Sequence, residues 1–340
     1  MELQGIHHIT AITADAQANL SFYAGTLGLR FVKKTVNFDD PGAYHLYYGD
    51  ERGTPGSILT FFAYPGVPRG MAGEGMIHRI AWRVADGAAL DFWQRRLGEA
   101  GVRTELSNGR LRFDDPEGLA LELLVSNAAE TPLAARATDV PPRHALRGFA
   151  GVRAYSDAPQ DSAATLGQTL GFSATSAPTE APDEAAPASG GPAHEIGYPT
   201  TPAHPMYGAT DWTARGGGRS STYVYDAAPR TRGHQGAGTV HHIAWAVPDA
   251  DQPAWRDRLL AAGLHATPVI DRTYFRSVYF REPSGVLFEI ATLGPGFAVD
   301  EPLDRLGESL QLPARYEPLR PRLERELPPL VDPRTRRAAA

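Results

Sequence analysis

The sequence predicts an α+β fold in which four βαβββ modules pair into two cup-shaped mixed sheets with their helices outside. Three observations lead there: a unit that recurs about every quarter of the chain, capping residues around the helix of each unit, and strand-like segments behind each helix. A single such unit is an open curved sheet with unpaired edges, so units must pair side by side to close a cup.

The first copy runs from Gly5 through Ile6, His7, His8 and Ile9 to Asp15, then through Leu20, Phe22, Tyr23 and Leu27 to Gly28. The second runs from Ile77, His78 and Arg79 to Asp86, then through Leu90, Phe92, Trp93 and Leu97 to Gly101. The third leads from Gly148 to Asp157 and through Leu166 and Leu170 to Gly171, and the fourth from Val240, His241 and His242 to Asp249 and through Trp255 and Leu259 to Gly263. Asp is the expected N-cap, because its side chain accepts from the free amides of the first turn, and Gly takes the left-handed conformation after the last. Strand-like segments follow, such as 43–48 and 58–63 in the first copy and 277–281 and 286–291 in the fourth, separated by Gly, Pro and Asp turns.

This organisation gives an N-terminal domain of modules one and two (1–127), a linker rich in Ala and Pro (128–146), a C-terminal domain of modules three and four (147–294) and a tail rich in Pro and Arg (295–340). Module three carries a loop insertion over about 176–218.

Composition narrows the function classes. Apolar residues at 42% and charged residues at 21% are those of a globular protein. With 33 Lys and Arg against 39 Asp and Glu the net charge is -6, so no basic field exists to draw nucleic acid, which is not an expected partner. The segment from Met1 to Gly5 lacks a basic region followed by an apolar core, and no stretch approaches the roughly 18 apolar residues of a membrane span. A cytoplasmic protein with no membrane partner is expected, either monomeric or homo-oligomeric. There is no cysteine, so a metal would have to be held by His and carboxylate.

The repeat allows one backbone slot to be compared four times. His8 and His242 share a slot, each seven residues before the Asp of its unit; Arg79 fills it in unit two, and Ala150 or Gly151 in unit three. In the last strand, Glu122 of unit two matches Glu289 of unit four. A carboxylate among aliphatic neighbours on a half-buried strand needs a cation. If units one and four form one cup, His8, His242 and Glu289 converge as the two-histidine, one-carboxylate facial set of non-haem iron(II) oxygenases, with open positions for an aromatic diol and dioxygen. The other cup would place Arg79 beside Glu122 as a buried ion pair and be structural.

Adjacent strand residues face opposite ways, so only one His of each His-His pair can ligate without a bulge. The second is chosen, because unit two keeps His78 in the first slot and has no His in the second. His7 and His241 would then stand near the metal as candidate acids or bases. A lone strand His is more often a satisfied core or edge residue than a ligand, and His45, His144, His194, His204, His234 and His265 are read as incidental.

At Gly5 to Thr10, Phe22-Tyr23 to Leu29, Lys33 to Pro41, Val240 to Trp245 and Phe288-Glu289-Ile290 the chain resembles the vicinal oxygen chelate superfamily, and more closely its hydroquinone-type ring-cleaving dioxygenases. The resemblance spans Gly5 to Glu289. It implies Fe(II), with Mn(II) as the alternative metal, at His8, His242 and Glu289, dioxygen as co-substrate, and a small aromatic diol or hydroquinone as substrate. It also implies catalytic roles for an Arg and a Tyr, which map onto Arg272 and Tyr279. The expected function is iron(II)-dependent cleavage of a hydroquinone- or catechol-type ring. The alternatives are a glyoxalase-like metal-dependent lyase or isomerase, which would use a second metal-bound carboxylate, and a non-catalytic protein that sequesters aromatic compounds.

Overall fold

The computed structural model describes residues 1–175 and 211–334. Each module supplies four strands. Module one has β1 (Ile6–Thr13), β2 (Arg30–Val36), β3 (Tyr44–Gly49) and β4 (Ile58–Ala63), and module two has β5 (Ile77–Val84), β6 (Thr104–Ser107), β7 (Arg110–Asp114) and β8 (Ala120–Val125). Module three has β9 (Phe149–Tyr155), β10 (Ser173–Thr175), β11 (Asp211–Gly216) and β12 (Arg219–Asp226), and module four has β13 (Val240–Val247), β14 (Ile270–Asp271), β15 (Arg276–Arg281) and β16 (Leu287–Thr292). The insertion expected over 176–218 is therefore shorter at its C-terminal end, because 211–216 pair with β12 as a strand. The rest of it, with His194 and His204, lies outside the described residues.

Two eight-stranded sheets result. The first is ordered β14-β15-β16-β13-β1-β4-β3-β2 and the second β10-β11-β12-β9-β5-β8-β7-β6. Module one therefore pairs with module four and module two with module three. Each chain half gives one module to each cup, and the sheets cut across the division at 128–146. In each sheet the central pair is antiparallel (β1 with β13, β5 with β9), and each first strand pairs in parallel with the last strand of its own module.

The helices follow their caps unevenly. Asp15 accepts from the Ala18 amide to start α1 (Ala16–Leu20), which widens into a π-helical turn over Ser21–Thr26, and Asp86 accepts from the Ala89 amide to start α2 (Gly87–Glu99). The other two expected caps fail. Asp157 accepts instead from the Ala228 amide, and module three forms only short 3-10 and π turns around Pro159 and Gly167. Asp249 accepts from the Gly294 amide, so α3 (Gln252–Ala261) begins two residues later, after Asp251. Gly28, Gly101, Gly171 and Gly263 all have the positive φ that ends each turn.

The central strand pairs are bulged at matching places. Between β1 and β13 the pairing passes from Ile6↔Trp245 to His8↔Ala244 and from Thr10↔His242 to Ala11↔Val240, leaving His7 and His241 as the extra residues. His78 and Ala150 are the extra residues between β5 and β9. A bulge turns its strand and re-aims the side chains beside it. It also identifies Gly151 as the third module's counterpart of His242. A side chain cannot be added there, since a Cβ on Gly151 would stand 2.2 Å from the Thr222 carbonyl oxygen.

The main core joins both sheets to the helices through Leu20, Tyr23, Trp82, Trp93, Trp245 and Trp255. A smaller cluster fills one end of the first cup, where Phe297 and Leu306 from the C-terminal segment meet Val32, Tyr47 and Tyr274. That segment is pinned by Lys33, whose fully buried ammonium lies 2.6 Å from Asp300 and 2.5 Å from Glu301. It continues through α4 (Arg320–Glu326).

In the second cup, Glu122 is met mainly by Arg110 and by Arg112 Nε at 3.1 Å, with the expected partner Arg79 further off at 3.8 Å. His78 bonds Asp226 at 2.7 Å and stacks on Tyr155. No helix among the described residues is long and apolar enough to cross a membrane.

Gly151→Ala should destabilise the protein by about 1–3 kcal/mol, the usual cost of forcing atoms into a filled site. Chemical denaturation monitored by tryptophan fluorescence reads this; an unchanged midpoint would mean that β9 and β12 can separate freely.

Candidate metal centre

Strand pairing places His8, Ala244, Glu289 and Tyr279 in one row across β1, β13, β16 and β15. Neighbouring strands lie roughly 4.8 Å apart, and His242, two residues before Ala244, shares its face. Ala244, fully buried, leaves the gap over which the longer side chains of the row converge.

They converge on one point. His8 Nε2 and His242 Nε2 are 3.3 Å apart, and Glu289 Oε2 lies 3.3 Å from the first and 3.0 Å from the second. Donors roughly 2.1 Å from a common ion and at right angles to one another stand about 3 Å apart, so these spacings fit one face of an octahedral metal. Glu289 Oε1 accepts from Ser277 Oγ at 2.5 Å, whereas the fully buried Oε2 has no hydrogen bond of acceptable geometry. A carboxylate oxygen buried beside two imidazole nitrogens, without a hydrogen bond of acceptable geometry, is the arrangement a cation completes. Among the described residues no other group of three or more His and acidic side chains comes together in this way.

The first histidine of each pair stands behind the second. His7 Nδ1 lies 2.9 Å from His8 Nδ1, and His241 Nδ1 lies 2.8 Å from His242 Nδ1. A cation at Nε2 would leave each inner imidazole its proton on Nδ1, where it would donate to the outer one. Burial, reinforced by the adjacent imidazole, brings both His7 and His241 down to about 3, so they stay neutral and can accept. Burial by itself would raise the Glu289 carboxyl, but the imidazoles, His8 foremost, hold it well below the usual carboxylate range.

Tyr279 faces the same cleft, its ring edge-on to His242 at 5.7 Å. Burial and then Glu289 push its hydroxyl up, against the nearby Arg272. Arg272 Nε donates to the Tyr279 hydroxyl at 3.3 Å, and its Nη1 lies 3.0 Å from the exposed Asp39. All seven residues singled out in the sequence thus lie in one site. The structure adds lining residues that sequence reasoning left unassigned: Asn37, Phe38, Tyr47, Phe62 and Phe275.

His45 is a correction. Read as incidental, it is buried inside the first cup, bonded to Thr60 and Tyr47. Its alternation with Tyr47 along β3 was the available signal.

Module equivalence also locates the slot that corresponds to Glu289 in the other modules. Ala244 pairs with Glu289 as Ala81 pairs with Glu122, Arg153 with Val224 and Thr10 with Thr60. The first cup therefore has a carboxylate on one side of its central strands and the hydroxyl of Thr60 on the other.

Fold and site together define a protein of paired βαβββ modules with two imidazoles and one carboxylate at the centre of one cup. The chain belongs to the Glyoxalase/Bleomycin resistance protein/Dioxygenase superfamily, whose sequence profile matches residues 5–123 and 148–290. It is 40% identical over 330 residues, 96% of each chain, to a Bacillus subtilis protein named "Putative ring-cleaving dioxygenase MhqO". It is 29% identical over 339 residues, 96% of each chain, to the "Chlorohydroquinone/hydroquinone 1,2-dioxygenase" of Sphingobium indicum. The crystal structure of a "putative dioxygenase" from Bacillus subtilis superposes with a TM-score of 0.83 at 38% identity, covering 97% of this chain and 98% of that one.

His241→Ala should weaken metal binding roughly 10- to 100-fold, the typical loss when a ligand's orienting partner is removed, with little change in far-UV dichroism. Anaerobic titration with Fe(II) or Mn(II) measures it. Ala244→Leu should abolish binding by filling the gap beneath the donors; undiminished metal uptake by that variant would place the ion elsewhere.

Proposed function

We propose that this protein is an iron(II)-dependent dioxygenase that cleaves a hydroquinone- or catechol-type ring. The observation that carries the reading is the convergence of His8 Nε2, His242 Nε2 and the unpartnered Glu289 Oε2 in a cleft walled by Phe38, Phe62 and Phe275. The names of the relatives agree with it. Fe(II) held by these three donors, with manganese as an alternative the same donors accept, would supply the redox chemistry that couples triplet dioxygen to a closed-shell ring.

The protein's own groups do the rest. His7 and His241 hold the two imidazoles in the tautomer that presents Nε2, and Ser277 fixes Glu289 so that only Oε2 points inward. The phenylalanines give an aromatic ring apolar walls and exclude water, which strengthens every polar contact inside. Tyr279, whose oxygen already accepts from Arg272, is the proton donor for a ring or dioxygen oxygen placed beside the triad. The Arg272 guanidinium at the mouth, balanced only by exposed Asp39, suits an anionic ring-opened product. The lyase reading lacks support at one place: a second carboxylate would belong in the pseudo-symmetric slot, and that slot holds Thr60.

Anaerobically iron-loaded protein should consume about one dioxygen per ring with hydroquinones or catechols, followed by an oxygen electrode and by loss of the aromatic absorbance. Metal-loaded protein that takes up no oxygen across a broad panel of diols would overturn the assignment. Tyr279→Phe should lower kcat on the order of 100-fold, the usual scale for a lost proton donor, while leaving the iron content intact.

A further inference from the structure

One hydrogen-bond chain in the first cup has a direction that the metal site does not explain. Thr60 Oγ1 donates to Thr10 Oγ1 at 2.9 Å, which uses its only proton. His45 Nε2, 2.8 Å from Thr60 Oγ1, must therefore be the donor in that contact. His45 is buried, which with the nearby imidazoles of His8 and His242 holds it neutral, so its Nδ1 is an acceptor and takes the proton of Tyr47, whose hydroxyl lies 2.9 Å away. Tyr47 Oη is left with lone pairs and no proton to give.

The other polar groups lining the cleft divide differently. Asn37 is held in place at both ends, donating one N–H to Tyr64 and accepting from the Asp39 amide. Tyr279 has the opposite polarity to Tyr47: its oxygen accepts from Arg272, so what it offers a ligand is its proton. The cleft thus has a donor beside the triad and an acceptor across from it. Tyr47 pairs with Thr60 and Thr60 with Thr10, so its backbone stands two strands from β1, roughly 10 Å away.

We propose that Tyr47 Oη receives the hydroxyl para to a ring oxygen held at the triad, with His45 as the positioning residue that turns Tyr47 into an acceptor. The cleft thereby selects 1,4-diols over 1,2-diols and monophenols. This rests on the ring-cleavage reading. A 1,2-diol carries its second hydroxyl next to the first, on the triad side, where it cannot reach Tyr47. A monophenol has no second proton to give, so the bond to Tyr47 Oη is forgone on a tyrosine whose ring packs against Tyr274 and Phe297.

The test is anaerobic calorimetric titration of the iron-loaded protein with hydroquinone, catechol and 4-fluorophenol, the last matching hydroquinone in size without the second proton. Wild type should bind hydroquinone roughly tenfold or more tighter than 4-fluorophenol. Tyr47→Phe should bring that ratio to about one by weakening hydroquinone alone. In oxygen uptake the loss should fall on KM more than on kcat. His45→Phe, which leaves Tyr47 free to donate as well as accept, should narrow the ratio by letting Tyr47 donate to 4-fluorophenol, whereas His45→Gln, which keeps an acceptor oxygen for Tyr47, should restore most of the preference. A merely structural role would not separate these two variants. An unchanged ratio in folded Tyr47→Phe overturns the inference, as does equal wild-type affinity for the two ligands, which needs no variant at all. Selective binding of hydroquinone without oxygen consumption would support the role of Tyr47 and count against the ring-cleavage reading instead.

Discussion

The antiparallel junction of β1 with β13 is the contact on which the rest of the molecule depends. It joins the first module to the last, so a site forms from residues more than 230 positions apart, and it is bulged at both ends. Without the bulges, His7 and His8 would face opposite sides of the sheet, as would His241 and His242. With them, each pair can place one imidazole over the other and link their Nδ1 atoms. The donors sit on rigid central strands rather than on loops, which suits a metal whose ligands must hold position to a few tenths of an ångström.

The same junction occurs in the second sheet, between β5 and β9, with the same two bulges and different chemistry. Arg79 and Gly151 stand where the first cup has His8 and His242, and Gly151 is excluded from any larger residue by the Thr222 backbone. Glu122, the counterpart of Glu289, is surrounded by arginines. A buried carboxylate requires positive charge, and the two cups meet that need in two ways: one with guanidinium groups carried by the chain, the other with a set of donors suited to a metal ion.

The first cup is closed from one end by the chain itself. Phe297 and Leu306 pack into it, and Lys33 holds Asp300 and Glu301 at the rim. The open side is bordered by Asn37, Asp39 and Arg272. This polarity, apolar and sealed on one side and charged on the other, sets the direction from which a ligand enters. The hydroxyls and imidazole along Thr10, Thr60, His45 and Tyr47 then give the interior a direction of its own.

By itself the sequence determined the repeat, the strand content of each module and the candidate metal-binding residues, because these depend on local periodicity and on comparing one slot across copies within a single chain. His8, His242 and Glu289 stood out through that contrast, and the Gly residues that end each helix could be read for the same local reason. Four features were decided only by the tertiary structure. The bulges arise from the pairing of distant strands, so the contact of His7 with His8 had no sequence signal. Asp157 and Asp249 have the composition of caps but find amides far along the chain that bind them instead. The role of Arg79 passed mainly to Arg110 and Arg112 because side-chain reach across a curved sheet, rather than slot equivalence, sets which charges meet. His45 was overlooked because a histidine on a strand reveals its function only through its neighbours, and Thr60 and Tyr47 become its neighbours only when three strands lie side by side.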